Sequence, residues 1–306
     1  MVSTRQWILM TTIVLSVIFL LGCSGPTTAP THTSVPPTEP PTAQPEQAII
    51  LGTELKTLHS SIVDQDYAIQ VALPQSYSSS NQMYPVVYVM LGDLVFGLTT
   101  DTVRELRFDE ELRGQGQMPE VIVVGIAYDG LKWQSDFHDE YPNLIFRDLT
   151  PTKESWAPGS GEADKFLKFL QDELFPYIDT NYRTDTQDRT IVGSSVGGLF
   201  PLYVLFQSPD TFNRYIALSP SLWWGDGVIF EYEEELAKNQ SELPVKLFLA
   251  AGDLDDEIAS DLEKLQKLLE DRNYAGLEME MVIFEDETHS SVGPGATSRG
   301  FRSVFP

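Results

Sequence analysis

Four nearly continuous apolar runs constrain the fold of this chain more than any other feature of its sequence. They read PVVYVML, VIVVGIA, VKLFLAA and MEMVIF, at residues 85–91, 121–127, 245–251 and 279–284. Strands buried on both faces have this composition, and such strands are typical of parallel sheets covered by helices. The runs therefore predict a mostly parallel sheet at the centre of the protein.

Helical patterns lie between these runs. Residues 163–178 (ADKFLKFLQDELFPYI) and 260–273 (SDLEKLQKLLEDRN) repeat apolar side chains every three or four positions. Strands that alternate with helices predict an α/β fold with a doubly wound sheet and right-handed crossovers. We expect a single globular domain over residues 49–306.

The N-terminal part of this domain has a different pattern. Residues 67–74 (YAIQVALP) alternate, with Ile69, Val71 and Leu73 on one face. This alternation predicts an antiparallel strand covered on one side. The sheet is thus expected to be mostly parallel, with antiparallel N-terminal strands.

The first 22 residues indicate a lipoprotein signal peptide. Arg5 precedes an apolar stretch at residues 7–21, which is shorter than the roughly 20 residues of a spanning helix. The LLGC sequence ending at Cys23 resembles the lipobox of bacterial lipoproteins, although Leu21 is bulkier than the usual residue there. The resemblance implies cleavage before Cys23, its lipidation, and an extracytoplasmic protein anchored to the bacterial cell membrane. An ordinary signal peptide or an uncleaved anchor is the alternative.

Residues 23–48 are rich in proline and threonine and carry almost no apolar side chains. Such a segment buries too little surface to offset the entropy of ordering it. We expect it to be a disordered, extended tether between the anchor and the domain.

Charge and cysteine content exclude several classes of function. The formal net charge is −25, which repels phosphate backbones and excludes nucleic acid as an expected partner. The lone cysteine, Cys23, excludes an intrachain disulfide and a thiolate metal site. We expect neither a metal nor an organic cofactor, and contact with the membrane only through the anchor. The oligomeric state is not predicted.

Residues 193–197 (GSSVG) form a G-x-S-x-G pattern centred on Ser195. Residues 190–192 before it predict a buried strand, and residues 199–206 after it predict a buried helix with Pro201 in its first turn. A strand that reverses sharply into a helix strains the backbone of the serine and exposes its hydroxyl at the top of the sheet. A glycine-rich turn without chemistry is the alternative.

A serine nucleophile needs a base, and the chain offers four histidines: His32, His59, His138 and His289. His32 lies in the tether, and only His289 follows Ser195, directly after the last predicted strand. Nucleophile, acid and base follow one another in that order in this architecture. His289 is therefore the candidate base.

The acid is expected between Ser195 and His289, in the loop GDLDDEIASD that follows the third apolar run. Asp253, Asp255 and Asp256 all compete for this role, and at least some of them merely cap the following helix. A calcium loop of the EF-hand type is excluded because its sixth and twelfth positions are isoleucine and lysine.

Several motifs resemble the putative esterase family of α/β-hydrolases. They are SGEADKFLKFLQDELFPYIDTNYR, RTIVGSSVGGLFPLYVLFQSPDTFNRYIALSPSLWW, FRDLTP and THSSVGPGATSRGF. The last two are similar to the bacterial siderophore esterase branch, which acts on ferri-bacillibactin and enterobactin. The likeness covers residues 50–306, and it implies the α/β-hydrolase fold.

The resemblance also implies roles for individual residues. Ser195 matches the nucleophile and His289 the base. The family's acid is third after the glycine that ends the preceding strand, which favours Asp255 over its two neighbours.

Further roles follow from the same resemblance. The backbone N–H of Val196 matches the first oxyanion donor, and the second is expected at Gly92 or Asp93, where this chain reads LGD and relatives often read DG. Arg147 and Trp223 match positions near the substrate pocket. A structural ion pair for Arg147 and a core position for Trp223 are the alternatives.

Together these observations predict a serine esterase acting on a small-molecule ester. A siderophore ester is the first substrate class, and an acylated or feruloylated carbohydrate is the alternative. A non-catalytic, ligand-binding lipoprotein on a hydrolase scaffold is the hypothesis from another class.

Overall fold

The computed structural model describes residues 49–114, 118–132 and 135–305. Ala48–Pro306 form one compact unit. The predicted signal peptide, the tether and Cys23 lie outside the described residues. No helix in the described ranges is both long and apolar enough to cross a membrane.

Eight strands of the described chain build one sheet: β1 (Thr53–Ser60), β2 (Gln65–Ala72), β3 (Tyr84–Val89), β4 (Ile122–Tyr128), β5 (Thr184–Ser194), β6 (Arg214–Leu218), β7 (Lys246–Gly252) and β8 (Glu278–Phe284). Their order in the sheet is β1-β2-β4-β3-β5-β6-β7-β8. β1 and β2 are antiparallel to their neighbours, and the strands from β4 to β8 run parallel. The predicted α/β class and the mostly parallel sheet with antiparallel N-terminal strands are confirmed.

Eight α-helices within the described ranges connect or flank these strands: α1 (Gly92–Arg113), α2 (Tyr141–Leu149), α3 (Ala163–Phe169), α4 (Phe175–Asn181), α5 (Val196–Gln207), α6 (Val228–Asn239), α7 (Asp256–Arg272) and α8 (Gly293–Val304). A π-helical segment, Leu170–Leu174, joins α3 to α4, so the helix predicted at 163–178 is one continuous helical stretch.

The sheet carries a hydrophobic core on each face. One core includes side chains of α2, α3, α5, α6 and α7, and the other includes those of α1 and α8. Because helices cover both faces, the central strands are apolar on both sides, as the continuous apolar runs indicate.

Two local predictions are wrong. β2 is buried on both faces rather than one, because α1 covers the second face and packs against its Ala72 side. Pro201 lies inside α5 rather than in its first turn, because the helix begins directly after Ser195.

Candidate active site

Ser195 occupies a strained turn between a strand and a helix. β5 ends at Ser194, α5 begins at Val196, and Ser195 between them has φ 60° and ψ −126°. Positive φ is unfavourable for a residue with a side chain, and it persists only where the surroundings impose it. A Cβ atom on Gly193 would lie 1.8 Å from the carbonyl oxygen of Gly197, so this tight reversal requires the glycine.

Backbone hydrogen bonds fix Ser195 from several directions. Its N–H donates to the carbonyl of Leu218 at 3.0 Å, and its own carbonyl accepts from the N–H groups of Gly198, Leu199 and Ser221 at 2.9, 3.0 and 3.1 Å. The side chain is half-buried. The surrounding structure therefore holds this half-buried serine in place.

Ser221 is a contact of the nucleophile candidate that the sequence analysis does not identify. Its Oγ lies 3.5 Å from the Oγ of Ser195, and it follows the short strand β6, which no apolar run predicts. Had β6 been predicted from the sequence, the position of Ser221 shortly after that strand would have indicated its place beside Ser195.

His289 and Asp255 lie in contact at the same edge of the sheet. The Nδ1 atom of His289 is 2.6 Å from Oδ2 of Asp255. The histidine follows β8, and the aspartate precedes the first residue of α7 in the loop after β7. Of the three aspartates in this loop, Asp255 is the one that contacts the imidazole. Asp256 is exposed, and Oδ1 of Asp253 is buried without a partner among the described residues.

The two loops that carry this pair are tied together. The N–H of Leu254 donates to the carbonyl of Glu287 at 3.0 Å. A Cβ on Gly252 would lie 2.1 Å from that same carbonyl oxygen, so the close approach of the loops depends on glycine. Among the described residues, no hydrogen bond joins Ser195 to His289; the Ser195 hydroxyl contacts Ser221 instead.

The residues expected to supply the oxyanion hole lie at two helix N-termini. Val196 is the first residue of α5, and Gly92 is the first residue of α1. Leu91 precedes Gly92 in a left-handed conformation with φ 58°, and a Cβ on Gly197 would lie 3.0 Å from its side chain. The two N-termini are therefore neighbours, and both favour negative charge.

Asp93, the other candidate for the second donor, uses its carboxylate locally. Oδ2 accepts the backbone N–H of Tyr128 at 3.1 Å, which ties α1 to the end of β4. Burial raises the pKa of Asp93 to about 6, and the hydrogen bonds from backbone N–H groups partly offset this effect.

Arg147 lies in a buried network. Its Nε and Nη2 donate to Asp148 at 2.7 and 3.1 Å, and Nη1 donates to Gln65 at 3.2 Å. Asp148 is fully buried and also accepts the hydroxyls of Tyr67 and Tyr128 at 2.6 and 3.0 Å. Arg147 thus forms an ion pair with its neighbour, and the side chain is 20% exposed.

Trp223 lies on the surface beside a second tryptophan. It is 42% exposed and Trp156 is 56% exposed, with ring centroids 6.1 Å apart and an interplanar angle of 32°. Trp224 is buried, and its Nε1 donates to the carbonyl of Thr152 at 3.1 Å. Trp223 follows Ser221 by two residues, so this exposed aromatic pair lies near the serine turn.

A cavity of about 920 Å³ lies elsewhere, between β1, the end of β2 and α1. Leu51, Tyr77, Val103, Phe108 and Val123 are among its lining residues. None of the candidate site residues lines it. Within the described ranges, no cluster of three or more His, Cys, Asp or Glu side chains could hold a metal ion.

Residues 60–287 match the model of the family described as putative esterase. The chain is 31% identical to the ferri-bacillibactin esterase BesA of Bacillus subtilis (strain 168) over 269 residues, which cover 83% of this chain and 89% of that protein. It is 24% identical to a siderophore triacetylfusarinine C esterase of Aspergillus fumigatus, over 79% of this chain and 89% of that protein.

Solved structures also superpose on this chain. The BES protein from Bacillus cereus superposes with a TM-score of 0.74 and 28% identity, covering 86% of this chain and 98% of that chain. An IroE-like serine hydrolase from Shewanella oneidensis superposes with a TM-score of 0.72 and 26% identity, covering 83% and 80%. The fold is thus the α/β-hydrolase fold that the motifs imply.

Proposed function

Since this chain belongs to the putative esterase family, we propose that it is an ester hydrolase of the serine type, with Ser195 as nucleophile, His289 as base and Asp255 as the third member. The observation that carries the proposal is the strained Ser195 turn at the end of β5, with the His289–Asp255 pair at the ends of β7 and β8 in the same parallel sheet.

Each side chain has a role that follows from its contacts. Asp255 accepts the Nδ1 proton of His289, which fixes the tautomer and leaves Nε2 free to accept a proton. The Ser195 hydroxyl directs its proton to Nε2 of His289 when substrate binds, since catalytic hydrogen bonds are often long in ligand-free sites and shorten in the complex.

The reaction proceeds in two halves. Nε2 of His289 takes the Ser195 proton as Oγ bonds to the ester carbon, and the carbonyl π electrons move to oxygen. The imidazolium then gives this proton to the leaving alcohol, which yields an acyl-enzyme. Water repeats the sequence in the second half and releases the acid and the free serine.

The oxyanion is stabilised by the backbone N–H groups of Val196 and Gly92. Both groups lie in the first turn of a helix, where N–H groups lack intrahelical acceptors. Fixed donors of this kind stabilise the charge that develops on the carbonyl oxygen, and each is worth about 3 kcal/mol.

A siderophore ester is the proposed substrate. Its relatives in Bacillus subtilis and Aspergillus fumigatus are named as siderophore esterases, and the exposed pair Trp156 and Trp223 offers an apolar aromatic surface for an acyl group. The net charge of −25 favours a second candidate, a neutral acylated or feruloylated carbohydrate, because an acidic protein repels anionic ferric complexes.

An ester panel tests both the chemistry and the substrate. Trilactone siderophores, acetylated sugars, feruloylated sugars and p-nitrophenyl esters are compared on the wild-type protein and on Ser195→Ala. We expect wild type to hydrolyse at least one class and Ser195→Ala to hydrolyse none. Turnover by Ser195→Ala at the parent rate would contradict the proposed mechanism.

We also propose that Cys23 is lipidated and that residues 23–48 tether the esterase domain outside the cytoplasm. The LLGC sequence at Cys23 supports this proposal. Mass spectrometry of the mature N-terminus tests it: a diacylglyceryl modification on Cys23 is expected, and an unmodified N-terminus at another residue would contradict it.

A further inference from the structure

The loop that follows β6, residues 219–227, is tied to the strands on both sides of it. The N–H of Ser219 donates to the carbonyl of Ala250 in β7 at 2.7 Å. Leu218, at the end of β6, accepts the N–H of Ser195 at 3.0 Å. Because β6 lies between β5 and β7, this loop approaches Ser195 from the side of the sheet that carries Asp255 and His289.

Ser221 makes two contacts to Ser195 from this loop. Its backbone N–H donates to the Ser195 carbonyl at 3.1 Å, and the two Oγ atoms are 3.5 Å apart. Ser221 is 2% exposed. The backbone contact does not involve the side chain, so a substitution that removes the Ser221 hydroxyl can leave the backbone hydrogen bond in place.

The contact distance allows either hydroxyl to be the donor, and burial favours Ser221. Ser221 is 2% exposed, and the Ser195 hydroxyl is the one side-chain partner of its hydroxyl among the described residues. A buried hydroxyl that fails to donate loses hydration without compensation. Ser195 is only half-buried, so its proton can point to solvent or to a base. We propose that Ser221 donates a hydrogen bond to the Oγ of Ser195 and thereby activates the nucleophile.

This inference rests on the proposed serine mechanism and deepens it. With its lone pair engaged by Ser221, the Ser195 oxygen keeps its own proton free for Nε2 of His289. While that proton moves to Nε2 and the bond to the ester carbon is still incomplete, Oγ carries partial negative charge, and a hydrogen bond to a charged acceptor is stronger than one to a neutral acceptor. The Ser221 proton stays on Ser221 throughout, so no second proton transfer is required.

The test measures how fast a fluorophosphonate phosphonylates Ser195 in the full chain, together with kcat and KM for a p-nitrophenyl ester. Ser221→Ala removes the donor, and Ser221→Cys keeps the shape with a poor donor. We expect both variants to react about 10-fold more slowly and to lose kcat with KM unchanged. Ser221→Thr, which keeps a hydroxyl, is expected to retain most of the rate.

Ser219→Ala is the matched control. Ser219 lies in the same loop, is fully buried, and its Oγ has no partner among the described residues. We expect this variant to react at the wild-type rate, and thermal melts to show that all four variants are folded.

The outcomes separate this inference from the proposed function. Wild-type protein that reacts, with Ser221→Ala or Ser221→Cys reacting equally fast, overturns the role of Ser221 alone. A Ser219→Ala variant as slow as Ser221→Ala also overturns it, since loop packing would then explain both. Wild-type protein that never reacts overturns the serine mechanism and this inference together.

Discussion

Two acid–base pairs lie towards the same edge of the sheet, and their surroundings differ. In the Arg147–Asp148 pair, the aspartate is fully buried, two tyrosine hydroxyls also donate to it, and all three guanidinium nitrogens have partners. In the His289–Asp255 pair, the side chains are 40% and 21% exposed, and one ring nitrogen is bound. Every guanidinium nitrogen of the first pair already donates to a partner, whereas Nε2 of His289 in the second pair has no hydrogen-bond partner among the described residues.

The comparison shows that contact with a carboxylate does not by itself identify a basic residue as part of an active site. The closed network around Arg147 stabilises the fold, and proton transfer at the more exposed pair is the role proposed for His289. Substitutions should therefore affect activity at the second pair and stability at the first.

The largest effect is expected for His289→Ala. Removal of this proposed base should lower kcat for an ester substrate by about 10⁵-fold or more, because the Ser195 hydroxyl is then not activated. Stopped assays with high enzyme concentration, together with a thermal melt, check this expectation. A loss below about 10-fold in a folded variant would contradict the role of His289.

Asp255→Asn is expected to have the next largest effect. An asparagine keeps the shape but no longer selects the productive tautomer of His289, so kcat should fall by about 10⁴-fold. Asp253→Asn is the matched control, because Asp253 lies in the same loop without contacting the imidazole. Equal losses in the two variants would show that the choice of Asp255 is wrong.

The sequence predicts the Ser195 turn more fully than it predicts the residues that contact this turn. Glycines at 193 and 197 and the apolar segments on either side indicate a strand–turn–helix, because this motif depends only on consecutive residues. The choice among three aspartates needs the path of a loop, which composition does not give. Ser221 depends on β6, whose five residues are too short to form a recognisable apolar run.

For Arg147, the sequence does not decide between two roles. The sequence places an acidic residue beside it, but the burial of that residue and its two tyrosine partners arise from strands β2 and β4, distant along the chain. Sequence alone therefore leaves open both a substrate contact and an ion pair.

Arg147→Ala tests the closed pair. It leaves the carboxylate of Asp148 buried without its cation, and the free energy of unfolding should fall by about 3 kcal/mol. Arg113→Ala is the comparison: its pair with Asp109 is 67% and 47% exposed, so a change below about 1 kcal/mol is expected. Denaturant titrations measure both. A stable Arg147→Ala protein with a sharply raised KM would instead indicate a substrate contact.

Asp93→Asn is expected to have the smallest effect, and one that depends on pH. The pKa of Asp93 is raised from 3.8 to about 6, so the folded protein holds this proton more tightly than the unfolded chain does. The stabilisation from the protonated form is complete below pH 3.8 and is lost as the pH rises through about 6. Asparagine avoids this loss and still accepts the N–H of Tyr128.

The stability of the Asp93→Asn variant should therefore match wild type near pH 4 and exceed it by about 2 kcal/mol near pH 8. Denaturant titrations at both pH values measure the difference. If the difference in the free energy of unfolding between the two proteins is the same at pH 4 and pH 8, ionisation of Asp93 does not destabilise the fold.

Mapping of a covalent adduct tests the identity of the nucleophile most directly. The full chain is incubated with a fluorophosphonate and digested, and the modified peptide is sequenced by mass spectrometry. We predict a single adduct on Ser195, lost in Ser195→Ala and formed far more slowly in His289→Ala. An adduct on another serine that persists in Ser195→Ala, or no adduct on the wild-type protein, would contradict the account.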